Sequence, residues 1–280
     1  MNLAELPSGT VEYRTYGPEE SEHPPVLFVH GVVMDLQLWD RVAETLGAAG
    51  YRCFAVTWPL GSHRIAWGAG ADRTARGAAG LIAEFVSERG LEGCTLVAVD
   101  TGGAISQYLI HDRPELIGRA VLMNCDCFDT FPPQPFALLF SLLRRRPLIR
   151  PLMSLMRSDA LRRSPLGFGL LSTVIDPEMT ESWVRPLLTD PAVRDDLAAL
   201  LNNLEPRELA SITPRMRDFG KPVTLVWGMD DRCFTPELGR RLADAFGNAE
   251  FVEVPDARTF VCIDRPDAVV GAITRITTNA

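Results

Sequence analysis

Residues 97–103 read VAVDTGG, an apolar β-branched run that passes directly into a helical stretch. One acidic residue, Asp100, stands at the junction between the predicted strand and the predicted helix. Small residues surround it at Ala98, Gly102 and Gly103, as a sharp strand-to-helix turn requires, because the two backbones pass too close for larger side chains. The stretch therefore predicts a turn that presents the Asp100 carboxyl at the end of a strand.

Short apolar runs alternate with helical stretches along the rest of the chain. This alternation is typical of an α/β protein with a mostly parallel sheet whose strands are covered on both faces. Strands are predicted at 11–16, 26–30, 52–57, 95–100, 120–124, 223–227 and 250–254, and helices at 36–46, 75–88, 103–111, 236–246 and 266–276.

Residues 127–214 interrupt this pattern, because they contain no convincing strand but carry helical periodicity punctuated by prolines. A helical insertion between two strands of a parallel sheet forms a cap over the edge where ligands bind in such sheets. We therefore predict an α/β core of residues 1–126 and 215–280 and a helical cap of residues 127–214.

The first half of the predicted cap is basic. A solvated helix face is the preferred interpretation, and an anionic-substrate funnel or a membrane-surface contact are the alternatives. The basic residues are Arg144, Arg145, Arg146, Arg150, Arg157, Arg162 and Arg163, against a single acid, Asp159.

Composition narrows the class of protein. The chain has 280 residues, 36 acidic and 28 basic side chains and a net charge of -8, which argues against nucleic acid as a partner. No apolar run approaches the roughly 18 residues of a membrane span, and the first residues show no targeting pattern. Six cysteines without metal-like spacing indicate reduced thiols in a cytoplasmic protein, and no cofactor or metal is expected.

Two further motifs stand at strand ends: HGV at 30–32 and WGMDD at 227–231. With the Asp100 turn and the helical insertion, their order resembles the α/β-hydrolase fold over nearly the whole chain. The resemblance implies that Asp100 occupies the nucleophile position and that the N–H groups of Val32 and Thr101 form an oxyanion hole. It also implies that Asp231 is the acid of the catalytic triad, because the family pattern there is Gly-x-x-Asp.

An aspartate at the nucleophile position is similar to the branch that contains haloalkane dehalogenases and epoxide hydrolases. In that branch a carboxylate attacks carbon, and a histidine-activated water hydrolyses the resulting ester. The alternative for Asp100 is a simple helix cap. The small residues around it favour the functional position.

The catalytic histidine of the family is missing. Thr259 occupies its expected place after the last strand, and threonine cannot act as a general base near neutral pH. Among the four histidines only His63 is a candidate substitute, although a surface histidine is the preferred interpretation. His30, in the oxyanion turn, is expected to be a structural hydrogen-bonding residue.

Other parts of the known hydrolase sites are absent as well. Thr101 stands where dehalogenases carry a halide-binding tryptophan, and no tyrosine lies in the predicted cap to polarise an epoxide. Asn124 and Asp126, at the end of the strand that enters the cap, are second-rank pocket candidates, with loop hydrogen bonding as the alternative. Trp183, within the cap, is a further auxiliary candidate.

Three hypotheses follow for the function. The first is a non-hydrolytic enzyme of secondary metabolism, in which Asp100 acts as acid or base on a bulky apolar or aromatic small molecule. The second is a dehalogenase-type or epoxide hydrolase-type enzyme that uses Asp100, and the third is a catalytically silent binding protein. Retention of Asp100 and Asp231 favours chemistry over binding alone, and the sequence leaves a homodimer open.

Overall fold

One eight-stranded sheet forms the centre of the protein in the computed structural model, which describes residues 1–68 and 70–278. The strands, in chain order, are β1 (Asn2–Leu6), β2 (Gly9–Tyr16), β3 (Val26–Val29), β4 (Cys53–Thr57), β5 (Cys94–Asp100), β6 (Ile117–Cys125), β7 (Val223–Gly228) and β8 (Glu250–Val254).

The strands are arranged in the order β1-β2-β4-β3-β5-β6-β7-β8. Only the pairings of β2 with β1 and with β4 are antiparallel, and the remaining five pairings are parallel. Every residue of β3, β4 and β7 is buried, as expected for continuous apolar strands between two helical layers. The predicted mostly parallel α/β sheet is confirmed.

Twelve α-helices connect or follow these strands in the described residues. They are α1 (Asp40–Ala48), α2 (Ala75–Glu88), α3 (Thr101–Asp112), α4 (Phe136–Leu143), α5 (Arg146–Leu155), α6 (Asp159–Arg163), α7 (Pro177–Thr189), α8 (Pro191–Asn202), α9 (Pro206–Ile212), α10 (Pro236–Phe246), α11 (Val261–Asp264) and α12 (Pro266–Thr278), with short 3-10 helices at Leu36–Trp39, Pro114–Leu116, Phe168–Leu170 and Thr213–Phe219.

The predicted limits of α2 and α10 agree with the structure. The helix predicted at 36–46 is instead a 3-10 turn, Leu36–Trp39, followed by α1, because the Asp35 side chain accepts a hydrogen bond from the Gln37 N–H and tightens the first turn. Strand β1 was not predicted. Only two of its five residues, Ala4 and Leu6, are buried, so its apolar signal is weak, and its antiparallel pairing with β2 is what makes it a strand.

The described chain between β6 and β7 contains helices α4 to α9 and no strand of the sheet. Three buried carboxylates, Asp35, Asp196 and Asp264, join these helices to the loops of the sheet. Asp35 accepts from Trp183 Nε1 (3.0 Å), Asp196 accepts from the Trp67 N–H (2.7 Å) and Arg73 Nε (2.6 Å), and Asp264 accepts from Ser172 Oγ (2.7 Å) and the Thr173 N–H (2.8 Å).

The start of α3 packs directly onto the end of β3. A Cβ atom placed on Gly102 would lie 2.5 Å from the His30 carbonyl oxygen and 2.6 Å from that of Val29, and one on Gly103 would overlap the Cys125 side chain. Neither position has room for a larger residue. The close approach of backbones inferred from the sequence pattern is therefore present.

We expect Gly102→Ala to lower the free energy of unfolding by about 1–3 kcal/mol, because the added methyl group overpacks the contact with β3. Gly80→Ala is the matched control, since Gly80 also lies in a helix but has open space around its Cα. That control should raise stability by about 0.5–1 kcal/mol. Urea denaturation of both variants checks this, and equal stability of Gly102→Ala and wild type would contradict it.

Candidate active site

Asp100 is the last residue of β5 and immediately precedes α3. Its backbone has φ 57° and ψ -138°, in the left-handed region that non-glycine residues rarely adopt. The Asp100 carboxyl makes no capping hydrogen bond to α3, so the helix-cap interpretation of this residue is wrong. The backbone strain instead turns the side chain away from the helix and toward a cavity.

The Asp100 carboxyl lies against the Cα of Gly31, and no cation of the described residues contributes to its pKa. Burial raises its pKa, the Thr101 N–H opposes this rise, and the nearby Asp231 carboxyl adds to it, which brings the pKa of Asp100 to about 7. The side chain is therefore a mixture of acid and carboxylate near neutral pH.

Val32 and Thr101, the predicted oxyanion-hole residues, flank this carboxyl. Val32 lines the same cavity as Asp100, and its N–H donates to no acceptor within residues 1–68 and 70–278. Thr101 is the first residue of α3, so its N–H lies at the positive end of the helix dipole. Both donors are thus placed beside Asp100, and their role with a reacting oxygen stays a prediction.

Thr259 hydrogen-bonds the predicted triad acid. Its buried hydroxyl donates to Asp231 Oδ2 at 2.8 Å, while Asp231 Oδ1 accepts from the N–H groups of Cys233 (2.7 Å) and Phe234 (3.2 Å). Burial raises the pKa of Asp231 to about 6, although these hydrogen bonds oppose the rise. The Thr259 hydroxyl therefore occupies Asp231 Oδ2, and a catalytic role for either residue stays a prediction.

His63 is buried, so its expected position on the surface is wrong. Its Nε2 lies 3.2 Å from Asp196 Oδ2, and its Nδ1 accepts from the Gly61 N–H at 3.2 Å. Asp196 belongs to α8, 133 residues further along the chain, and this partner could not be read from the local sequence. Both ring nitrogens are therefore occupied. Through its contact with Asp196 of α8, His63 joins the helical insertion to the loop that follows β4.

His30 is a structural residue, as expected from its turn. Its Nδ1 contacts the Gly31 carbonyl oxygen at 2.8 Å, and its Nε2 accepts from the Trp58 N–H at 2.9 Å. Burial lowers the pKa of His30 to about 4, which keeps the ring neutral at physiological pH. Within the described residues, no histidine lines the cavity that contains Asp100.

Asn124 and Asp126 have different surroundings. The Asn124 amide donates to the Gly228 carbonyl (3.1 Å) and accepts from the Gly228 N–H (2.6 Å), which ties β6 to β7 and agrees with loop hydrogen bonding. Asp126 Oδ2 accepts from Thr101 Oγ1 at 3.1 Å, whereas its buried Oδ1 has no partner in the described chain. Burial and the Asp100 charge raise the pKa of Asp126 well above its usual range, and the Thr101 hydroxyl opposes this rise.

Trp183, the auxiliary candidate from the insertion, does not line the cavity that contains Asp100. Its indole N–H donates to Asp35, and its ring packs edge-on against Phe168 and Phe260. The side chain is completely buried. Its indole N–H is therefore unavailable to a ligand beside Asp100.

The cavity has a volume of about 260 Å³ and lies between the strand ends and the helical insertion. Among residues 1–68 and 70–278, Asp100 is the only ionisable one in its wall, and the other side chains that line it are apolar. The sequence did not identify the wall residues from the insertion, which include Phe136, Leu139, Phe140, Met153, Phe168 and Leu171.

The alpha/beta hydrolase family model matches residues 26–272. The chain belongs to the alpha/beta hydrolase family. The chain is 26% identical over 273 residues to haloalkane dehalogenase 2 of Mycobacterium tuberculosis, an alignment that covers 93% of this chain and 90% of that protein. It is also 26% identical over 238 residues to the 2-hydroxy-6-oxononadienedioate/2-hydroxy-6-oxononatrienedioate hydrolase of Paraburkholderia xenovorans, covering 80% and 76% of the two chains.

Solved structures with the same fold include an alpha/beta hydrolase fold protein from Burkholderia ambifaria, with a TM-score of 0.77, 21% identity and coverage of 98% and 97% of the two chains. The enol-lactonase from Burkholderia xenovorans has a TM-score of 0.74, 17% identity and coverage of 99% and 100%. These likenesses confirm the predicted fold class. At sequence identities this low, a shared fold does not indicate which reaction is catalysed.

No helix in the described residues combines the length and the apolar character needed to cross a bilayer. No group of three or more His, Cys, Asp or Glu side chains in the same residues is arranged to hold a metal ion.

The raised pKa of Asp100 has a consequence for stability. Because the folded-state pKa of about 7 exceeds the ordinary value of 3.8, the stability associated with the protonated group is present below pH 4 and is lost as pH rises toward 7. Asn cannot ionise, so we expect Asp100→Asn to exceed wild type in unfolding free energy by about 1–3 kcal/mol at pH 8 and by much less at pH 4.

Chemical denaturation at both pH values measures this difference. Asp230→Asn is the control, because Asp230 is adjacent to Asp231 but exposed, and it should show no such pH-dependent gain. A constant difference between Asp100→Asn and wild type across this range would show that the folded-state pKa of Asp100 is not raised.

Proposed function

We propose that this alpha/beta hydrolase is an enzyme that exchanges a proton between Asp100 and an apolar or aromatic small molecule. The observation that carries the proposal is the single carboxyl, with a pKa of about 7, in an otherwise apolar cavity. A general acid or base works best when its pKa lies near the working pH. Asp100 meets that condition without an imidazole.

In the proposed mechanism the substrate binds by burying its apolar surface in the cavity. Asp100 as carboxylate removes a proton from carbon or oxygen, and as neutral acid it returns the proton at another position. The N–H groups of Val32 and Thr101 stabilise the enolate or phenolate oxygen that forms in between. Residues 127–214 act as the cap that keeps water away from these groups, over a core of residues 1–126 and 215–280. A place in secondary metabolism, as an enzyme that rearranges rather than hydrolyses, belongs to this proposal.

The hydrogen bond from Thr259 to Asp231 argues against a full hydrolytic cycle. An alkyl ester on Asp100 is released only when a base activates a water molecule, and a threonine hydroxyl is too weakly basic for this. His63 offers no replacement, since Asp196 and the Gly61 N–H occupy its two ring nitrogens.

A hydrolytic function that uses Asp100 as nucleophile is the second candidate. Two of the relatives, a haloalkane dehalogenase and a 2-hydroxy-6-oxononadienedioate/2-hydroxy-6-oxononatrienedioate hydrolase, favour it. The retained Asp231 also supports it, because this carboxylate would orient a base. Under this candidate Asp100 forms an ester but has no efficient route to release it.

Proton exchange tests the first proposal directly. We expect the enzyme in D2O to exchange the α-protons of an aromatic ketone such as 2-tetralone, at a rate that rises with pH and levels off above about pH 7, where Asp100 is ionised. Asp100→Asn should lose at least about 100-fold, the usual lower size of such a contribution. Proton NMR measures the rate. Asp230→Asn is the control, and exchange no faster than in buffer would contradict the proposal and favour a binding protein.

Covalent trapping separates the two candidates. With 1-bromohexane or styrene oxide we expect no adduct on the wild-type protein by intact mass spectrometry. A stable single adduct that Asp100→Asn abolishes would establish the nucleophilic role instead. In that case Thr259→His should release the adduct, because Asp231 can orient the new imidazole, whereas the matched variant Thr259→Ser should not.

A further inference from the structure

The mouth of the apolar cavity lies at the end of α5. Leu155 and Leu166 line the cavity and are nevertheless 60% and 79% exposed, so they mark the rim through which a ligand enters. Met156, the next residue along the chain from Leu155, lines this cavity and also a second one. The two cavities share Met156 and Val184 as wall residues, which makes them neighbours at the rim.

The second cavity is a groove of about 430 Å³ between α5 and α7, and we call it the arginine groove. Arg150, Arg157 and Arg185 line it, together with one acid, Glu181. Arg185 pairs with Glu181 at 3.0 Å, whereas Arg150 and Arg157 have no acidic partner in residues 1–68 and 70–278. The groove is thus positively charged on a protein whose net charge is -8.

The interior of the apolar cavity has the opposite character. Asp100 lies in its wall, and no positively charged side chain of residues 1–68 and 70–278 lines it. An anionic group would lose its hydration there, would find no cation to pair with, and would face the Asp100 carboxyl. A negatively charged part of a ligand must therefore remain outside the rim, where the arginine groove begins.

Building on the proposed function, we propose that the arginine groove binds the phosphate group of a substrate whose apolar part occupies the cavity. The ligand class is a phosphate ester of an apolar or aromatic alcohol. Guanidinium groups present paired N–H donors that match phosphate oxygens, and two arginines without acidic partners can hold one dianionic phosphate. A cavity of about 260 Å³ holds an apolar part of roughly nine groups of water or methylene size.

Calorimetric titration with alkyl phosphates below their micelle concentration tests this proposal. We expect octyl phosphate to bind at least tenfold more tightly than octanol. Across butyl, hexyl and octyl phosphate, each added methylene should strengthen binding about fourfold, because it enters the apolar cavity. An affinity that is independent of chain length would separate the groove from the cavity and overturn the proposal.

Arginine variants identify the phosphate contact. In the double variant Arg150→Gln/Arg157→Gln, octyl phosphate should bind within twofold of octanol. Arg145→Gln is the matched control, since Arg145 is also an exposed arginine of the insertion but does not line the groove, and it should retain the full preference. If Arg145→Gln lost the preference for octyl phosphate to the same extent, the preference would come from net charge alone, and the proposal would be overturned.

A phospholipid headgroup carries the same phosphate ester group as a soluble alkyl phosphate. Binding to vesicles is therefore measured as a second experiment. Binding to phosphatidylglycerol vesicles without binding of monomeric octyl phosphate would assign the arginines to a membrane surface and overturn the small-ligand site. Asp100→Asn should keep the preference for phosphate. If the enzyme does not exchange ketone protons but still binds octyl phosphate more tightly than octanol, only the proposed function is contradicted. If it exchanges ketone protons but shows no preference for octyl phosphate, only the phosphate-site inference is contradicted.

Discussion

The close packing of α3 against the ends of β3 and β6 sets the geometry on which the candidate site depends. Gly102 meets the carbonyl groups at the end of β3, Gly103 meets the Cys125 side chain, and Gly31 meets the Asp100 carboxyl. Any Cβ at these three positions would push the strand ends apart. The packing therefore fixes Asp100 at φ 57° and directs its carboxyl into the cavity rather than onto the helix terminus.

The cavity beside Asp100 has no positively charged side chain among the described residues that line it. The Asp231 carboxyl raises the pKa of Asp100, Asp100 in turn raises that of Asp126, and in the described residues neither a histidine nor an arginine lines the cavity. Burial is the main cause of each rise in pKa, and at Asp231 hydrogen bonds that include the one from the Thr259 hydroxyl oppose it. The proposed function rests on this arrangement, in which Asp100 is the ionisable group of the cavity wall and a threonine hydroxyl is hydrogen-bonded to Asp231.

The insertion is joined to the sheet by buried carboxylates whose partners lie far away in sequence. Asp196 on α8 binds the Trp67 N–H and Arg73, and Asp35 binds the indole of Trp183 on α7. Hydrogen bonds from Arg73, His63 and the Trp67 N–H outweigh burial and lower the pKa of Asp196, so this link remains ionised at neutral pH. These contacts hold the apolar helices over Asp100 and leave the arginines of α5 facing outward.

The sequence by itself determined the α/β architecture, the turn at Asp100 and the hydrogen-bonding nature of His30, because each rests on local periodicity, on small residues at fixed spacing or on a single residue's chemistry. Strand β1, the burial of His63 and the walls of the cavity were decided only by tertiary structure. Each of these depends on a partner many residues away: β2 for the strand, Asp196 for the histidine, and four helices of the insertion for the cavity. Such pairings join residues that are distant along the chain, so the local sequence pattern does not predict them.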